Sequence, residues 1–244
     1  MVVPMIHNWL CRDDLWRLVA QISKVNANAA SPAARALEAG KVDQLLDSPA
    51  ALEVVLGHGG PPAPLPLTLL WYVPIRAILR RWEVTDIDLA DFTATLAVLF
   101  SNANLSARIA DGEHGLLVWA NSIEAMPRKT VGRAERAAEC GALALWWAGC
   151  FPNAVAQRGG RGAIRAYVAF AANVLALAAH LIEGRSPETS EFYSRVAGHA
   201  AAVRAALNEA RRDYLGANAT SPDARVGRYL DRIGENPDGW LSVA

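Results

Sequence analysis

The chain has 244 residues, of which 52% are hydrophobic, and its 24 basic side chains are balanced by 24 acidic ones. A chain of this length and apolar content buries a core of its own, which excludes a disordered protein. The three cysteines, Cys11, Cys140 and Cys150, cannot all pair within the chain and form no metal-ligand cluster. A disulfide scaffold is therefore excluded as well.

The pattern of the chain is typical of helices, because sustained alternation of apolar and polar residues is lacking. Ser-Pro occurs four times, and a serine cap followed by a proline at the first helical position is a common helix start. These predicted starts are Ser31-Pro32, Ser48-Pro49, Ser186-Pro187 and Ser221-Pro222. We therefore predict an all-α fold.

The first quarter of the chain is predicted to form an N-terminal helical arm, residues 1–56, followed by a connector, residues 57–66. Apolar residues at helical spacing predict helices at about 9–22, 33–37 and 50–56. Glycines and closely spaced prolines between Gly57 and Pro66 exclude a helix in the connector.

Residues 67–216 are predicted to form a single irregular helical bundle, and residues 217–244 a tail with a short amphipathic helix. The predicted bundle helices run over about 67–82, from 85 onwards, 113–125, 131–151, 163–182 and 187–215. The helices at 131–151 and 163–182 are rich in alanine and glycine, so we expect their axes to approach closely at the centre of the bundle.

The segment 163–182 is nearly long enough to span a membrane. We interpret it as a buried core helix without a membrane span, because Arg165, Asn173 and His180 interrupt it. Arginine outnumbers lysine 21 to 3 and alanine is abundant, a bias typical of GC-rich bacterial genomes. Since the first residues also lack the basic leader and apolar stretch of a secretory signal, we expect a bacterial cytoplasmic protein.

Two stretches of the chain resemble an uncharacterised family of all-helical bacterial proteins. Residues 70–79 read LWYVPIRAIL, an aromatic-rich helix with one arginine, and are followed by an acidic Leu-Ala-Asp-aromatic stretch at 86–92. Residues 141–152 read GALALWWAGCFP and resemble the family's Gly-x-x-Ala-Leu-aromatic-x-small-Gly-x-Phe-Pro helix. The chain departs from the pattern at Pro74 and at Ala142, where the family is usually polar. The resemblance covers about residues 65–215 and implies the helical fold and the importance of Arg76 and Asp91, without implying an activity.

Arg76 is the principal candidate for a functional residue, because it is a charge within an otherwise apolar helix. Tyr72 lies one turn before it, and Asp91 on the next helix is its expected partner. One interpretation is a structural ion pair that joins two helices. The alternative is a ligand-binding or enzymatic bundle, with an anion-accepting pocket near Arg76, Tyr167 and His180.

A second alternative is nucleic-acid or phosphate contact through the basic stretch at 126–165. Its basic side chains are Arg128, Lys129, Arg133, Arg136, Arg158, Arg161 and Arg165. No interleaved aromatic residues or recognised nucleic-acid motif accompany them, which favours a solvated face with charged helix ends.

The sequence predicts no catalytic residue, metal ligand or cofactor. It has neither a Gly-x-Ser-x-Gly nucleophile motif nor a glycine-rich phosphate loop with its lysine, and it lacks the Glu-x-x-His pairs of di-iron bundles. Of its eight tryptophans, Trp9, Trp16 and Trp240 fall outside the predicted core, and aromatic residues are enriched at interfaces. We therefore expect a non-enzymatic protein that acts through protein–protein contacts, as an accessory or regulatory subunit or a homo-oligomer.

Overall fold

The computed structural model of the protein describes residues 5–57, 65–100, 115–160 and 162–215. Those residues form thirteen α-helices and one π-helical turn, and no strand occurs among them. The all-α class predicted from the sequence is confirmed. The fourth Ser-Pro start and the amphipathic tail that the sequence predicts lie outside the described residues.

The chain divides into two compact units. Among the described residues, the first unit comprises 5–98 together with 209–215, and the second comprises 99–208. This grouping differs from the division predicted from the sequence, because the helix that follows the connector packs with the N-terminal helices that the sequence assigned to a separate arm.

Seven helices begin in the first unit. They are α1 (Ile6–Trp9), α2 (Arg12–Val25), α3 (Ala27–Glu38), α4 (Val42–Leu46), α5 (Pro49–Val55), α6 (Leu67–Arg81) and α7 (Ile87–Phe100). Helix α2 packs on α3 and α5, and α6 packs on α5 and α1. Ten of the fifteen residues of α6 are buried, so this helix forms the centre of the unit.

Side chains cap some of the helix starts in this unit by accepting a hydrogen bond from a backbone N–H. Ser48 caps α5, because its Oγ accepts the N–H of Ala51 at 3.1 Å, as the Ser-Pro pattern predicts. The start predicted at Ser31-Pro32 is wrong, since Pro32 lies inside α3. That helix begins earlier because the Oδ1 of Asn26 accepts the N–H of Ala29.

The second unit contains five complete helices and most of a sixth. They are α8 (Leu116–Glu124), α9 (Val131–Cys150), α10 (Pro152–Gly159), α11 (Ala163–Ile182), α12 (Pro187–Gly198) and α13 (Ala200–Glu209). The single helix predicted over 187–215 is wrong, because the chain is interrupted at His199 and continues after α13 as a π-helical turn, Ala210–Leu215.

Glycines allow the long helix α9 to approach its neighbours closely. A Cβ atom at Gly141 would lie 2.7 Å from the Cγ of Leu175 on α11, and one at Gly149 would lie 2.6 Å from the Cβ of Leu207 on α13. Real Cβ atoms essentially never come this close to another heavy atom. The expected close packing of α9 against α11 is therefore present at Gly141.

The C-terminal end of α9 is capped by side chains from α13. Pro152 has no N–H to donate to the carbonyl of Ala148, four residues earlier in the chain. The Nε of Arg204 donates to that carbonyl at 3.1 Å, and the Nδ2 of Asn208 donates to the carbonyl of Gly149 at 3.1 Å. The positive charge of Arg204 also lies at the negative end of the helix dipole. Burial lowers the pKa of Arg204.

Helix α11 is buried on one side only, which corrects the expectation of a buried core helix. Val174 and Leu175 face α9, whereas Ala169 and Ala176 are exposed and Ala172 is half-buried. By length and composition α11 is the one helix among those described that is able to cross a membrane, a criterion that core helices of soluble proteins also meet. Only 28% of its apolar window is buried.

We expect Gly141→Leu to destabilise the second unit by about 1–3 kcal/mol, because the added side chain overpacks the contact with α11. Urea unfolding of the purified variant measures this loss. Gly162→Leu is the control, since a Cβ at Gly162 meets nothing within 4 Å and Gly162 is exposed. Equal stability of the two variants would contradict the close approach at Gly141.

Candidate functional site

The candidate site is a network of charged side chains around the buried Arg76 in the first unit. Arg76 lies on α6 and is only 5% exposed. Its acidic neighbours are Asp43 on α4 and Asp47, which directly follows that helix. Because these two aspartates are four residues apart on a single helical turn, their carboxylates face the same side.

The guanidinium of Arg76 uses four of its five N–H groups in this network. Its Nε and Nη2 donate to the two oxygens of Asp47, both at 2.6 Å, which forms a bidentate pair. Its Nη1 donates to Asp43 at 2.7 Å and to the hydroxyl of Tyr72 at 2.9 Å. Burial opposes the charge of Arg76, but the hydrogen bonds to Asp47 and Tyr72 outweigh it and raise the pKa of Arg76. Burial also raises the pKa of Tyr72.

Asp91 is not the partner of Arg76, which corrects the pairing expected from the sequence. The Asp91 carboxylate, on α7, instead accepts the backbone N–H groups at the start of α1. Its Oδ1 accepts from Met5 and Ile6, both at 2.7 Å, and its Oδ2 accepts from the N–H of His7 at 3.1 Å. The hydroxyl of Thr95 donates to the same carboxylate at 3.1 Å. The first N–H groups of a helix have no partner inside it, so a buried carboxylate meets their need.

His7 connects the two halves of the network. Its Nδ1 lies 2.8 Å from Asp91, and its Nε2 lies 3.4 Å from Asp43, which also binds Arg76. The ring packs edge-on against Tyr72, with centroids 5.4 Å apart. The hydrogen bond with Asp91 outweighs burial and raises the pKa of His7. Burial favours the protonated form of Asp91, but the hydrogen bonds from His7 and the backbone prevail and lower the pKa of Asp91.

An open cleft of about 220 Å³ lies beside this network. Its lining residues are Asp43, Asp47, Arg76, Leu79, Arg80, Val84, Thr85, Asp86, Ile87 and Ala90. Arg80 forms a second pair with Asp47, at 3.3 Å. Val84, Thr85 and Asp86 from the turn between α6 and α7 form one wall together with Ile87, the first residue of α7, which is 40% exposed. Trp82, at the start of the same turn, is 54% exposed and is not itself a lining residue. We call this feature the α6–α7 cleft.

The sequence did not identify His7, Asp43 and Asp47 as members of the network. The spacing of the two aspartates, either side of buried Leu45 and Leu46, was the available signal. Four-residue spacing places both carboxylates on one face of a helix, but it does not say which other helix that face meets.

Tyr167 and His180, the other members of the pocket expected from the sequence, belong to the second unit. Tyr167 packs edge-on against Trp119, with ring centroids 5.8 Å apart. His180 forms an exposed pair with Glu183 at 3.9 Å. Neither residue lines the α6–α7 cleft.

The basic stretch predicted from the sequence includes residues that are engaged inside the second unit. The Nε of Arg136 donates to Ser122 at 3.0 Å, and its Nη1 lies 3.6 Å from Glu139. Arg133 is half-buried, and the exposed basic residues are Arg128, Lys129 and Arg165. Arg161 and the side chain of Arg158 lie outside the described residues.

Among the residues that the structure describes, no group of three or more histidine, cysteine, aspartate or glutamate side chains is placed to hold a metal ion. Cys140 is buried in α9, and burial raises the pKa of its thiol, as is typical of a packing cysteine. Comparison of the chain with family models, with curated proteins and with solved structures found no match. Its function is therefore inferred from its own geometry.

We expect Arg76→Met to destabilise the first unit by about 3 kcal/mol, because it leaves two carboxylates and the Tyr72 hydroxyl without their donor. Urea unfolding measures the loss. Arg17→Met is the control, because Arg17 is 65% exposed and its contact with Asp14, at 3.7 Å, is long, so that the pair contributes little. Full stability of Arg76→Met would contradict a structural role and favour a ligand-binding one.

The contribution of His7 to stability should depend on pH. Because folding raises the pKa of His7 above its ordinary 6.5, protonated His7 stabilises the folded chain fully below that pH. The stabilisation is lost as the pH rises through the raised pKa. We therefore expect the difference in unfolding free energy between the wild type and His7→Gln to shrink between pH 6 and pH 9. The control variant is His199→Gln, at an exposed histidine whose Nδ1 lies 3.0 Å from the carbonyl oxygen of Arg195. A pH-dependent difference of the same size in that variant would contradict the role of the contact between His7 and Asp91.

Proposed function

We propose that this protein acts through protein–protein contacts, as a non-enzymatic accessory or regulatory subunit whose partner binds at the α6–α7 cleft. The exposure of Ile87, which lines this cleft, and of Trp82, in the turn that leads to its wall, supports the proposal. A buried tryptophan contributes several times the apolar area of a small side chain, and tryptophan is enriched among the residues that dominate binding energy. Trp82, exposed in the turn that continues into the cleft wall, is therefore a strong candidate for an interface anchor.

The state of the charged groups supports this proposal over a ligand-binding or enzymatic site. Four N–H groups of Arg76 already bind Asp43, Asp47 and Tyr72. An anionic ligand would have to displace a carboxylate from Arg76 while approaching the two others that line the cleft. We therefore infer that the network has a structural role and fixes the shape of the cleft.

The charge of the cleft also disfavours nucleic acid as its occupant. Three aspartates line it, against two arginines that are both paired with Asp47. Phosphate groups would meet an excess of negative charge there. A partner protein that presents apolar side chains with a basic residue fits the lining better.

The test is binding of a purified partner by variants of the cleft. The tagged chain is isolated from its native cells, a protein that co-purifies at constant stoichiometry is identified, and its affinity for the pure chain is measured by calorimetry. We expect Trp82→Ala to weaken binding about 30-fold, which corresponds to the loss of about 2 kcal/mol typical of an interface anchor. Ile87→Ser should weaken binding in the same direction.

Leu117→Ala is the matched control, because Leu117 is 74% exposed but lies on α8 in the second unit. Equal affinities of Trp82→Ala and the wild type, with unchanged thermal stability, would contradict the cleft as the docking site. A purified chain that turns over a small molecule would contradict the non-enzymatic role.

A further inference from the structure

The exposed side of α11 forms a second surface whose residues complement one another. We define the α11 face as Arg165, Ala169, Asn173, Ala176, His180 and Glu183, all of which are exposed. The opposite side of the helix packs on α9 through Val174 and Leu175. The α11 face is thus an uncovered side of a helix that is otherwise strongly apolar.

We propose that the α11 face packs antiparallel against the same face of a second copy of this chain, about a two-fold axis beside Asn173. The proposal concerns the second unit and is independent of the partner that we propose for the α6–α7 cleft. It rests on the charges at the two ends of the face, on the small side chains between them and on the amide at its middle.

The two ends of the α11 face carry opposite charges that project from the same side of the helix. Arg165 and Glu183 are separated by eighteen residues, which is five full turns of an α-helix, so both project from the same side. The distance between them along the axis is about 27 Å. In a two-fold antiparallel pair, Arg165 of each copy lies opposite Glu183 of the other copy. The same symmetry operation therefore forms two ion pairs, one at each end of the interface.

The middle of the face suits the centre of such a pair. When residue 165 lies opposite residue 183, the two-fold axis passes beside position 174. Asn173 then faces Asn173 of the second copy, and an amide can donate and accept a hydrogen bond at once. Ala169 and Ala176 leave room for the helix axes to approach to about 8 Å, the lower end of the usual range.

The polar side chain at the middle of the face also distinguishes a second copy from a lipid bilayer as the occupant. A helix that faced lipid with this side would place the Asn173 amide in hydrocarbon, where it has no hydrogen-bond partner. Across a protein interface the same amide finds a partner. The pair that Glu183 forms with His180 is weak, because both side chains are more than 70% exposed and 3.9 Å apart. It therefore does not prevent Glu183 from pairing with Arg165 of a second copy.

Charge reversal with rescue tests the ion pairs. The dimer dissociation constant of the full chain is measured by sedimentation equilibrium. We expect Arg165→Glu and Glu183→Arg each to weaken the dimer about tenfold or more, because each places like charges opposite one another at both ends. The double variant Arg165→Glu with Glu183→Arg should restore the dimer, since both pairs re-form with exchanged signs.

Arg185→Glu is the matched control for charge, since Arg185 is an exposed arginine just after the C-terminal end of α11 and outside its face. It should leave the dissociation constant unchanged. A double variant as weak as either single variant, or a control as damaging as Arg165→Glu, would overturn the proposed pairing. A wild-type chain that stays monomeric throughout the micromolar range would overturn the dimer itself.

Disulfide cross-linking tests the position of the axis. In a Cys11→Ser background, which leaves only the buried Cys140 and Cys150, Asn173→Cys should form a covalent dimer under mild oxidation. His180→Cys is the control, because it lies on the same face but about 18 Å from its own copy along the axis. Cross-linking of both variants or of neither would overturn the axis beside Asn173. Flotation of the chain with lipid vesicles in place of dimer formation would assign the face to a membrane and overturn the proposal.

Discussion

The first unit depends on the neutralisation of one buried guanidinium. Arg76 lies on the central helix of that unit, and no helix can pack over it until carboxylates meet its charge. Asp43 on α4 and Asp47 directly after it supply them, and α4 is a helix of five residues that has little stability of its own. The ion pairs therefore fix the short helix on α6, and α6 in turn fixes the two carboxylates.

The same network extends to the N-terminal helix. Through Asp43 and His7 it reaches Asp91, which holds the backbone N–H groups at the start of α1. A helix of four residues forms only where its unpaired N–H groups find acceptors, so α1 depends on a residue more than eighty positions away. The N-terminal segment, which the sequence predicts as a separate arm, is therefore part of a compact unit.

The buried charges of the first unit thus have partners inside it. They are therefore not available to a binding partner at its outer surface. With these charges paired, the exposed apolar side chains left for recognition are Ile87, in the lining of the α6–α7 cleft, and Trp82, in the turn before it. The second unit differs, because α11 is apolar enough to be covered on both sides but is covered on one. The two units therefore present different surfaces: apolar side chains at the α6–α7 cleft, and self-complementary charges along the α11 face.

The sequence determined the helical class, the cap at Ser48, the helix start at Pro187 and the position of Arg76 as a charge in an apolar helix, because these follow from local spacing. Gly141 could also be assigned to a close helix contact, since only a missing side chain allows one. The partners of Arg76 and Asp91, the exposed side of α11 and the break at His199 were decided by tertiary structure. Periodicity defines the faces of each helix, whereas the neighbour that each face meets depends on contacts between residues far apart in the chain. For that reason Arg76 was recognised from its own helix, and Asp43, Asp47 and His7 were not.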